Sequence, residues 1–80
     1  MDNQTKLYSL ISNILEIDQS YISDETSPEN TENWDSFNAL VLVTELEENF
    51  QVTLSMEEMQ AIKNVKDIKE ILRSRSILFD

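Results

Sequence analysis

The chain has 80 residues, 40% of them apolar, which allows one small hydrophobic core and excludes a second domain or a deep substrate cleft. The sequence contains no cysteine, which excludes disulfides and thiolate metal sites and favours a cytoplasmic protein. Its formal net charge is -10, with no Lys or Arg from Leu7 to Ile62, which disfavours nucleic-acid binding and favours basic protein partners.

The first helix is predicted from about Asn3 to about Ile17, because apolar residues recur there at i, i+3, i+4, i+7 and i+8. These apolar residues are Leu7, Leu10, Ile11, Ile14 and Leu15. The following segment, up to Trp34, lacks this periodicity and is rich in Ser, Thr, Asn and acidic residues, which predicts a long surface loop. Tyr21 and Ile22 are expected to anchor that loop to the core.

The second helix is predicted over residues 36–50, capped by Asp35 or Ser36, because either side chain can accept a hydrogen bond from the first turn. Its core stripe is predicted to comprise Ala39, Leu42, Val43, Leu46 and Phe50, with Leu40 at the edge. The opposite face carries Phe37, Val41, Thr44 and Glu48. Two apolar side chains there are either part of a docking surface or an ordinary pair of exposed hydrophobic residues, and helix geometry alone favours neither.

A short third helix is predicted from Met56 to about Ile62, because Ser55 and Glu58 have the spacing of a capping box. Asn64 is the predicted cap of a last helix, residues 65–74, whose core residues are Val65, Ile68, Ile71 and Leu72. The basic residues of this segment are expected to favour the negative end of the helix dipole. They are Lys63, Lys66, Lys69, Arg73 and Arg75. Residues 76–80 are predicted to form a loosely held tail.

Most catalytic and binding chemistry is disfavoured by residue type. The sequence has no His and no Cys, so Ser36 has no imidazole base and no catalytic triad can form. The acidic pairs lack the spacing and the glycine of an EF-hand, so no metal site is predicted. No apolar stretch approaches the length of a membrane span, and the N-terminus lacks the pattern of a signal peptide. The sequence therefore predicts a non-catalytic protein without a membrane-spanning segment.

Several patterns occur in an order that resembles the acyl carrier protein family. Asp35-Ser36-Phe37 is similar to the D-S-L-type motif that opens the second helix of that family. Leu42 through Phe50 resembles its L-x-x-x-L-E-x-x-F run, and an acidic third helix and the V-x-D-hydrophobic segment Val65-Lys66-Asp67-Ile68 follow. The D-S pair alone is a weak signal, but its position before the downstream pattern is specific, and the resemblance covers nearly the whole chain.

The resemblance implies an all-α four-helix bundle, with three longer helices, a short third helix and a long loop between the first two. It implies that residues 1–80 form a single carrier domain and that Ser36 is esterified by phosphopantetheine, transferred from coenzyme A by a phosphopantetheinyl transferase. Acyl or aminoacyl groups would then be carried as thioesters between enzymes. Asp35 is expected both to cap the helix and to help position the transferase.

The same resemblance implies partners for a monomeric carrier. They are a ligase that loads the acyl or aminoacyl group and downstream transferase or synthase enzymes with basic docking surfaces. The residues expected to contact them are Phe37, Val41, Thr44, Glu47, Glu48 and Met59. The apolar residues expected to pack the interior, and secondarily to shelter an acyl chain, are Leu42, Leu46, Leu54, Met59 and Ile62.

Some positions depart from the commonest family pattern. Phe37 replaces the usual Leu, Trp34 stands where many fatty-acid carriers have Gly or Ala, and Asn38 and Val41 occupy positions that are often acidic there. These departures favour a specialised pathway, such as polyketide, nonribosomal peptide, polysaccharide or lipid modification, over housekeeping fatty-acid synthesis. Two alternatives stay open: a cofactor-free acidic helical adaptor for a basic partner, and a carrier-like domain that has lost its modification.

Overall fold

The computed structural model describes residues 2–79 and contains four α-helices, with no strand among those residues. They are α1 (Asn3–Leu15), α2 (Ser36–Phe50), α3 (Met56–Ala61) and α4 (Val65–Arg73). The all-α, four-helix prediction is therefore confirmed. Within the same residues, no helix is both long enough and apolar enough to cross a membrane, and no cluster of three or more ligating side chains is suited to a metal ion.

Helix α1 ends at Leu15 and not at about Ile17, because Glu16 adopts a left-handed backbone conformation with φ 57°. Asp2 caps the start, accepting a hydrogen bond from the Thr5 N–H at 2.7 Å. Its fully buried residues, Leu7, Ile11 and Leu15, belong to the predicted stripe. With this spacing the three side chains lie on one face of α1, and that face packs in the core.

The long loop after α1 is ordered by a 3-10 turn, Gln19–Tyr21, and by hydrogen bonds to the start of α4. The Val65 N–H donates to Thr26 O at 2.9 Å, so the loop is fixed to the start of α4. Ile22 is buried in the core, as predicted. The prediction was wrong for Tyr21, which is 78% exposed, because the 3-10 turn directs the two neighbouring side chains differently.

In α2 the buried residues are Leu42, Val43, Leu46 and Phe50. Leu40, predicted at the edge of the core stripe, is instead 64% exposed and shares a face with Phe37, three residues earlier.

Helix α3 has the predicted capping box but buries no residue fully, and its first turn begins from Ser55. It is therefore attached to the bundle by its ends and by half-buried side chains.

Helix α4 is capped by Asn64, as predicted, and buries Val65, Ile68 and Leu72. The predicted dipole role of the basic residues fits Arg73 in the last turn, but Lys69 is buried and Arg75 lies beyond the helix. Arg75 forms an ion pair with Glu58 at the start of α3, with Nη1 at 2.7 Å from Oε2 and Nη2 at 2.5 Å from Oε1.

The residues after α4 are not the loose tail that the sequence predicts. Ile77 and Phe79 pack against the core, and the Phe79 ring lies 6.4 Å from that of Phe50. The Asn3 amide also donates to Leu78 O at 3.0 Å. This segment therefore closes the end of the bundle opposite the start of α2; Asp80, the last residue of the predicted tail, lies outside the described residues.

Candidate functional site

Ser36 is the first residue of α2 and its side chain is exposed. The sequence leaves the cap as Asp35 or Ser36, and the structure assigns it to Asp35, whose Oδ1 accepts from the Asn38 N–H at 2.9 Å. The Ser36 hydroxyl makes no hydrogen bond to any of residues 2–79. Since the cap is supplied by its neighbour, this hydroxyl is available for other chemistry.

The turn that presents Ser36 is braced from both sides. The Asn38 side-chain amide donates to Asn33 O at 2.7 Å, and the Asn33 amide donates to Leu15 O at 2.7 Å. The second bond satisfies a carbonyl at the C-terminal end of α1, where helices leave such groups unpaired. Sequence reasoning missed the bracing role of these two asparagines; the frequency of asparagine in turns is the signal that marks it. They fix the start of α2 relative to α1.

Trp34 anchors the same turn by burial. Its side chain is 4% exposed and belongs to the hydrophobic core, although it lies two residues before the exposed Ser36. Burial of a large indole is among the strongest apolar contributions a single residue makes. Trp34 therefore holds the backbone of the turn while Ser36 remains at the surface.

A cavity of about 350 Å³ opens beside Ser36 between the loop, α2 and α3. It is lined by Pro28, Trp34, Asp35, Ser36, Ala39, Leu42, Val43, Met59 and Ile62. Of the residues predicted to shelter a chain, Leu42, Met59 and Ile62 are in this wall, whereas Leu46 and Leu54 are not. A shallower hollow of about 340 Å³ adjoins it and shares Ser36 and Met59.

An exposed apolar surface surrounds Ser36. Phe37, Leu40 and Met56 are 72%, 64% and 67% exposed, and all three are large side chains. Of these, only Phe37 was predicted; Leu40 follows Phe37 at i+3, and Met56 opens α3 facing the same hollow. Val41, predicted to be exposed, is half-buried. We call Ser36, Phe37, Leu40 and Met56 the Ser36 surface.

The polar residues of α2 that are predicted to contact partners differ in exposure and in whether their side chains already form hydrogen bonds within the chain. Thr44 and Glu48 are exposed, and the Thr44 hydroxyl donates to Leu40 O at 3.0 Å. Glu47 is half-buried, and its Oε2 accepts from the Leu54 N–H at 2.9 Å. Glu47 therefore fixes the segment between α2 and α3, whereas Glu48 is the carboxylate free to attract a basic partner.

The chemistry available at this site is passive. With no His in the sequence and no hydrogen bond to its hydroxyl from residues 2–79, Ser36 has no internal base to activate it. The exposed N-terminal N–H groups of α2 create a positive potential that favours an anionic group near Ser36. The arrangement fits a hydroxyl that another protein modifies with a phosphate-containing group.

Comparisons with known proteins give the same indication. The family described as "Phosphopantetheine attachment site" matches residues 5–72. An acyl carrier protein of Syntrophobacter fumaroxidans is 35% identical over 69 residues, covering 86% of this chain and 85% of that protein. An acyl carrier protein of Phytoplasma mali is 33% identical over 75 residues, covering 94% of this chain and 89% of that protein. A solved Mycobacterium tuberculosis structure assigned as an acyl carrier protein superposes with a TM-score of 0.81 at 26% identity, covering 90% of this chain and 96% of the other.

Proposed function

The chain belongs to the acyl carrier protein family, non-catalytic carriers with covalently attached phosphopantetheine, and from that membership we propose that Ser36 is the attachment residue. The observation that supports this most directly is the Ser36 hydroxyl, exposed and without a hydrogen bond to residues 2–79. Asp35 supplies the helix cap, so modification of Ser36 costs α2 no hydrogen bond.

The surroundings of Ser36 fit a phosphopantetheine group. The N–H groups of Ser36 and Phe37, in the first turn of α2, have no partner among residues 2–79 and are positioned to donate to phosphate oxygens. The adjoining apolar cavity offers shelter to what the group carries. Asp35 contributes a negative charge beside the site, which we assign to recognition by the transferase rather than to binding of the phosphate.

When bound, phosphopantetheine supplies a flexible arm ending in a thiol, on which acyl or aminoacyl groups are carried as thioesters. The protein chain itself contributes a fixed position for the attachment residue. Asn33, Asn38 and Trp34 hold the start of α2 in one geometry, so each partner enzyme meets Ser36 in the same frame. A fixed attachment point with a mobile arm lets one carrier serve several active sites.

Family membership implies partner enzymes such as synthases and transferases. We propose that a phosphopantetheinyl transferase, a loading ligase and the downstream enzymes dock on the Ser36 surface with Val41, Thr44, Glu48 and Met59 around it. The exposed apolar residues supply contact area, and Glu48 in a segment without Lys or Arg supplies attraction to basic surfaces. The structure gives Glu47 a fold-stabilising bond, so its share in docking is smaller.

We also propose a specialised biosynthetic pathway and a cytoplasmic location for this carrier. Trp34 supports the first proposal, since it stands where many fatty-acid carriers have Gly or Ala. The need for coenzyme A as the donor of the arm supports the second. Action as a monomer completes the proposal, because a shuttle must present the same surface to each enzyme in turn.

Intact mass spectrometry after incubation with coenzyme A, magnesium and a broad-specificity phosphopantetheinyl transferase tests the attachment residue. Wild type is expected to gain one phosphopantetheine group and Ser36→Ala none. Ser20→Ala is the matched control, because it removes an exposed hydroxyl that, like that of Ser36, makes no hydrogen bond to residues 2–79. This variant is expected to gain the group. No gain in folded wild type, with a known carrier modified alongside, would favour a cofactor-free adaptor.

A further inference from the structure

Arg75 lies just beyond α4 and connects three parts of the molecule. Its Nη1 donates to Glu58 Oε2 at 2.7 Å, and its Nη2 donates to Glu58 Oε1 at 2.5 Å. The same Nη2 donates to Thr53 O at 2.9 Å. The guanidinium therefore joins the end of α4 both to the first turn of α3 and to the segment that leads into α3.

The backbone that carries Arg75 is itself fixed to the bundle. The Arg75 N–H donates to Leu72 O at 2.9 Å, and the Ile77 N–H donates to the same carbonyl at 3.1 Å. Leu72 is fully buried, and Ile77 packs against the core. Arg75 is therefore an anchored point from which α3 is held.

Helix α3 has little else to fix its orientation, because it is six residues long and buries none of them fully. Glu58 Oε1 accepts from the Ser55 N–H at 2.9 Å as well as from Arg75, so the capping box and the ion pair share one carboxylate. A pair in which both carboxylate oxygens bond to one guanidinium fixes direction as well as distance. The orientation of α3 therefore depends on Arg75 more than on burial.

The first turn of α3 carries part of the surface around Ser36. Met56 lies between Ser55 and Glu58 in the chain and is 67% exposed. Met56 and Met59 line the hollow of about 340 Å³ to which Ser36 also contributes. A rotation of α3 about its attachment would therefore move both methionine side chains relative to Ser36.

We propose that Arg75 is a positioning residue for the Ser36 surface, holding α3 so that Met56 lies where a transferase that modifies Ser36 contacts it. The proposal rests on the attachment residue and the docking surface proposed above. Arg75 acts through Glu58 and does not itself have to touch the transferase. A surface already held in its bound arrangement binds more tightly, because less ordering is required on association.

The test measures KM and kcat of a broad-specificity phosphopantetheinyl transferase with wild type and with Arg75→Ala as substrates, using intact mass to follow the product. Circular dichroism establishes that each variant is folded at the assay temperature. Arg75→Ala is expected to raise KM about fivefold and to leave kcat unchanged, because binding is weakened and the chemical step is not. Loss of a positive charge alone would strengthen attraction to a basic transferase and therefore acts on KM in the opposite direction.

Arg73→Ala is the matched control. Arg73 lies two residues earlier, with its guanidinium 5.6 Å from the centre of the Phe79 ring, and forms no hydrogen bond or ion pair with α3 within residues 2–79. Its replacement removes the same charge from the same end of the chain and is expected not to raise KM. Arg75→Lys keeps the charge without the two-pronged pair, so its KM is expected to lie between those of wild type and Arg75→Ala.

A double-mutant cycle separates positioning from general stabilisation. Met56→Ala is expected to raise KM by itself. Addition of Arg75→Ala to Met56→Ala is then expected to raise KM by no more than about twofold, because the side chain that Arg75 positions is already gone. A purely structural role for Arg75 would give the same fold-change in KM with and without the Met56 side chain.

The proposal is overturned if Arg75→Ala and Arg73→Ala have the same KM, if Met56→Ala leaves KM unchanged, or if the effects of Arg75→Ala and Met56→Ala are independent. If Arg75→Ala does not fold, Arg75→Lys takes its place in each comparison. All of these results leave attachment at Ser36 intact, because the wild type still gains one phosphopantetheine group by mass. Absence of that gain in folded wild type, by contrast, overturns the proposed function and this inference together.

Discussion

Two regions of this bundle differ in which side chains they bury: one buries a charged side chain, and the other exposes large apolar ones. In the first, Lys69 of α4 is buried and donates to Gln4 Oε1 at 3.2 Å, Tyr8 Oη at 3.0 Å and Asp24 Oδ1 at 2.6 Å. In the second, the Ser36 surface, large apolar side chains are exposed and a hydroxyl is left without a partner among residues 2–79. We call Lys69, Gln4, Tyr8 and Asp24 the Lys69 cluster.

The difference separates the part of the molecule that holds it together from the part that we propose meets other molecules. The Lys69 cluster joins α1, the long loop and α4, and its buried polar atoms are all satisfied within residues 2–79. Burial of the Lys69 amine lowers its pKa, but hydrogen bonds to Asp24 and Tyr8 outweigh this and leave the pKa above its ordinary value. A fully satisfied buried network specifies one arrangement of the elements it connects.

The Ser36 surface, in contrast, lies between α2 and a short helix that buries no residue fully. Helix α3 is held by its capping box and by the Arg75–Glu58 ion pair. Regions with few buried apolar contacts open at lower free energy than the core. Exposure of apolar residues and weak fixation of α3 are therefore found together at the surface that we propose for partner docking.

The largest effect on stability is expected from Lys69→Ala. It removes three hydrogen bonds and leaves a hole in a buried position, which we expect to lower the free energy of unfolding by about 2–3 kcal/mol. The expectation is below the cost of a fully buried pair because the Asp24 side chain is 48% exposed and can be resolvated. Urea unfolding measures the change, and intact mass is expected to show unchanged modification at Ser36.

Lys66→Ala is the control for that experiment. Lys66 lies in the same helix with an exposed side chain, so its replacement is expected to change stability by less than ~0.5 kcal/mol. Equal losses for the two lysines would contradict the assignment of a structural role to the Lys69 cluster.

A smaller loss is expected from Glu47→Ala, about 1 kcal/mol, because the Leu54 N–H loses its acceptor in a half-buried setting. Glu48→Ala, one residue along, is expected to leave the free energy of unfolding unchanged.

Charge reversal by Glu48→Lys is expected to slow association with a basic transferase at low salt, with the effect fading as salt is added. Stopped-flow kinetics at two ionic strengths measures this; equal rates for Glu48→Lys and wild type at low salt would exclude Glu48 from docking.

The attachment of α3 gives a prediction in pH. The hydrogen bond from Arg75, the Ser55 N–H and the charge of Arg75 lower the pKa of Glu58 from 4.5 to about 2. Since the folded-state pKa is the lower one, the stabilisation is present above pH 4.5 and is lost as pH falls from there towards 2. The stability difference between wild type and Glu58→Gln is therefore expected to be constant near neutral pH and to shrink over that range.

Urea unfolding at a series of pH values measures this difference. Glu57→Gln is the matched control, because Glu57 is exposed beside Glu58 and forms no ion pair with residues 2–79. A stability difference for Glu58→Gln that does not change with pH would show that the Arg75 pair is absent in solution.

The sequence predicts features that depend on neighbouring residues better than contacts between residues distant in the chain. Helix existence and most core residues follow from periodicity, and the Ser55–Glu58 capping box follows from spacing, because both depend on residues close in the chain. The end of α1 at Leu15 was missed, since Glu16 gives no signal for a left-handed conformation that glycine or asparagine usually adopts.

The Lys69 cluster was missed for a different reason. Its members come from α1, the loop and α4, and no local pattern shows that a lysine in a basic segment is buried against distant polar groups. The packing of Phe79 on Phe50 is likewise a contact between distant residues. At the Ser36 surface, by contrast, the resemblance to the family motif identified Ser36 from the sequence. The exposure of Leu40 was not predicted, and only the structure shows it.

The smallest effect on stability, and the sharpest contrast with the Lys69 cluster, is expected from Phe37→Ala. Phe37 is 72% exposed, so its truncation is expected to change the free energy of unfolding by less than ~0.5 kcal/mol. If the Ser36 surface is a docking site, the same change removes an aromatic contact next to the proposed attachment hydroxyl and lowers kcat/KM of the transferase by about tenfold, or ~1.4 kcal/mol. Tyr21→Ala is the matched control, since Tyr21 is an aromatic residue of similar exposure, 78%, outside the Ser36 surface. A fall in kcat/KM for Phe37→Ala alone separates recognition from stability, whereas equal behaviour of the two variants shows that Phe37 is an ordinary exposed side chain.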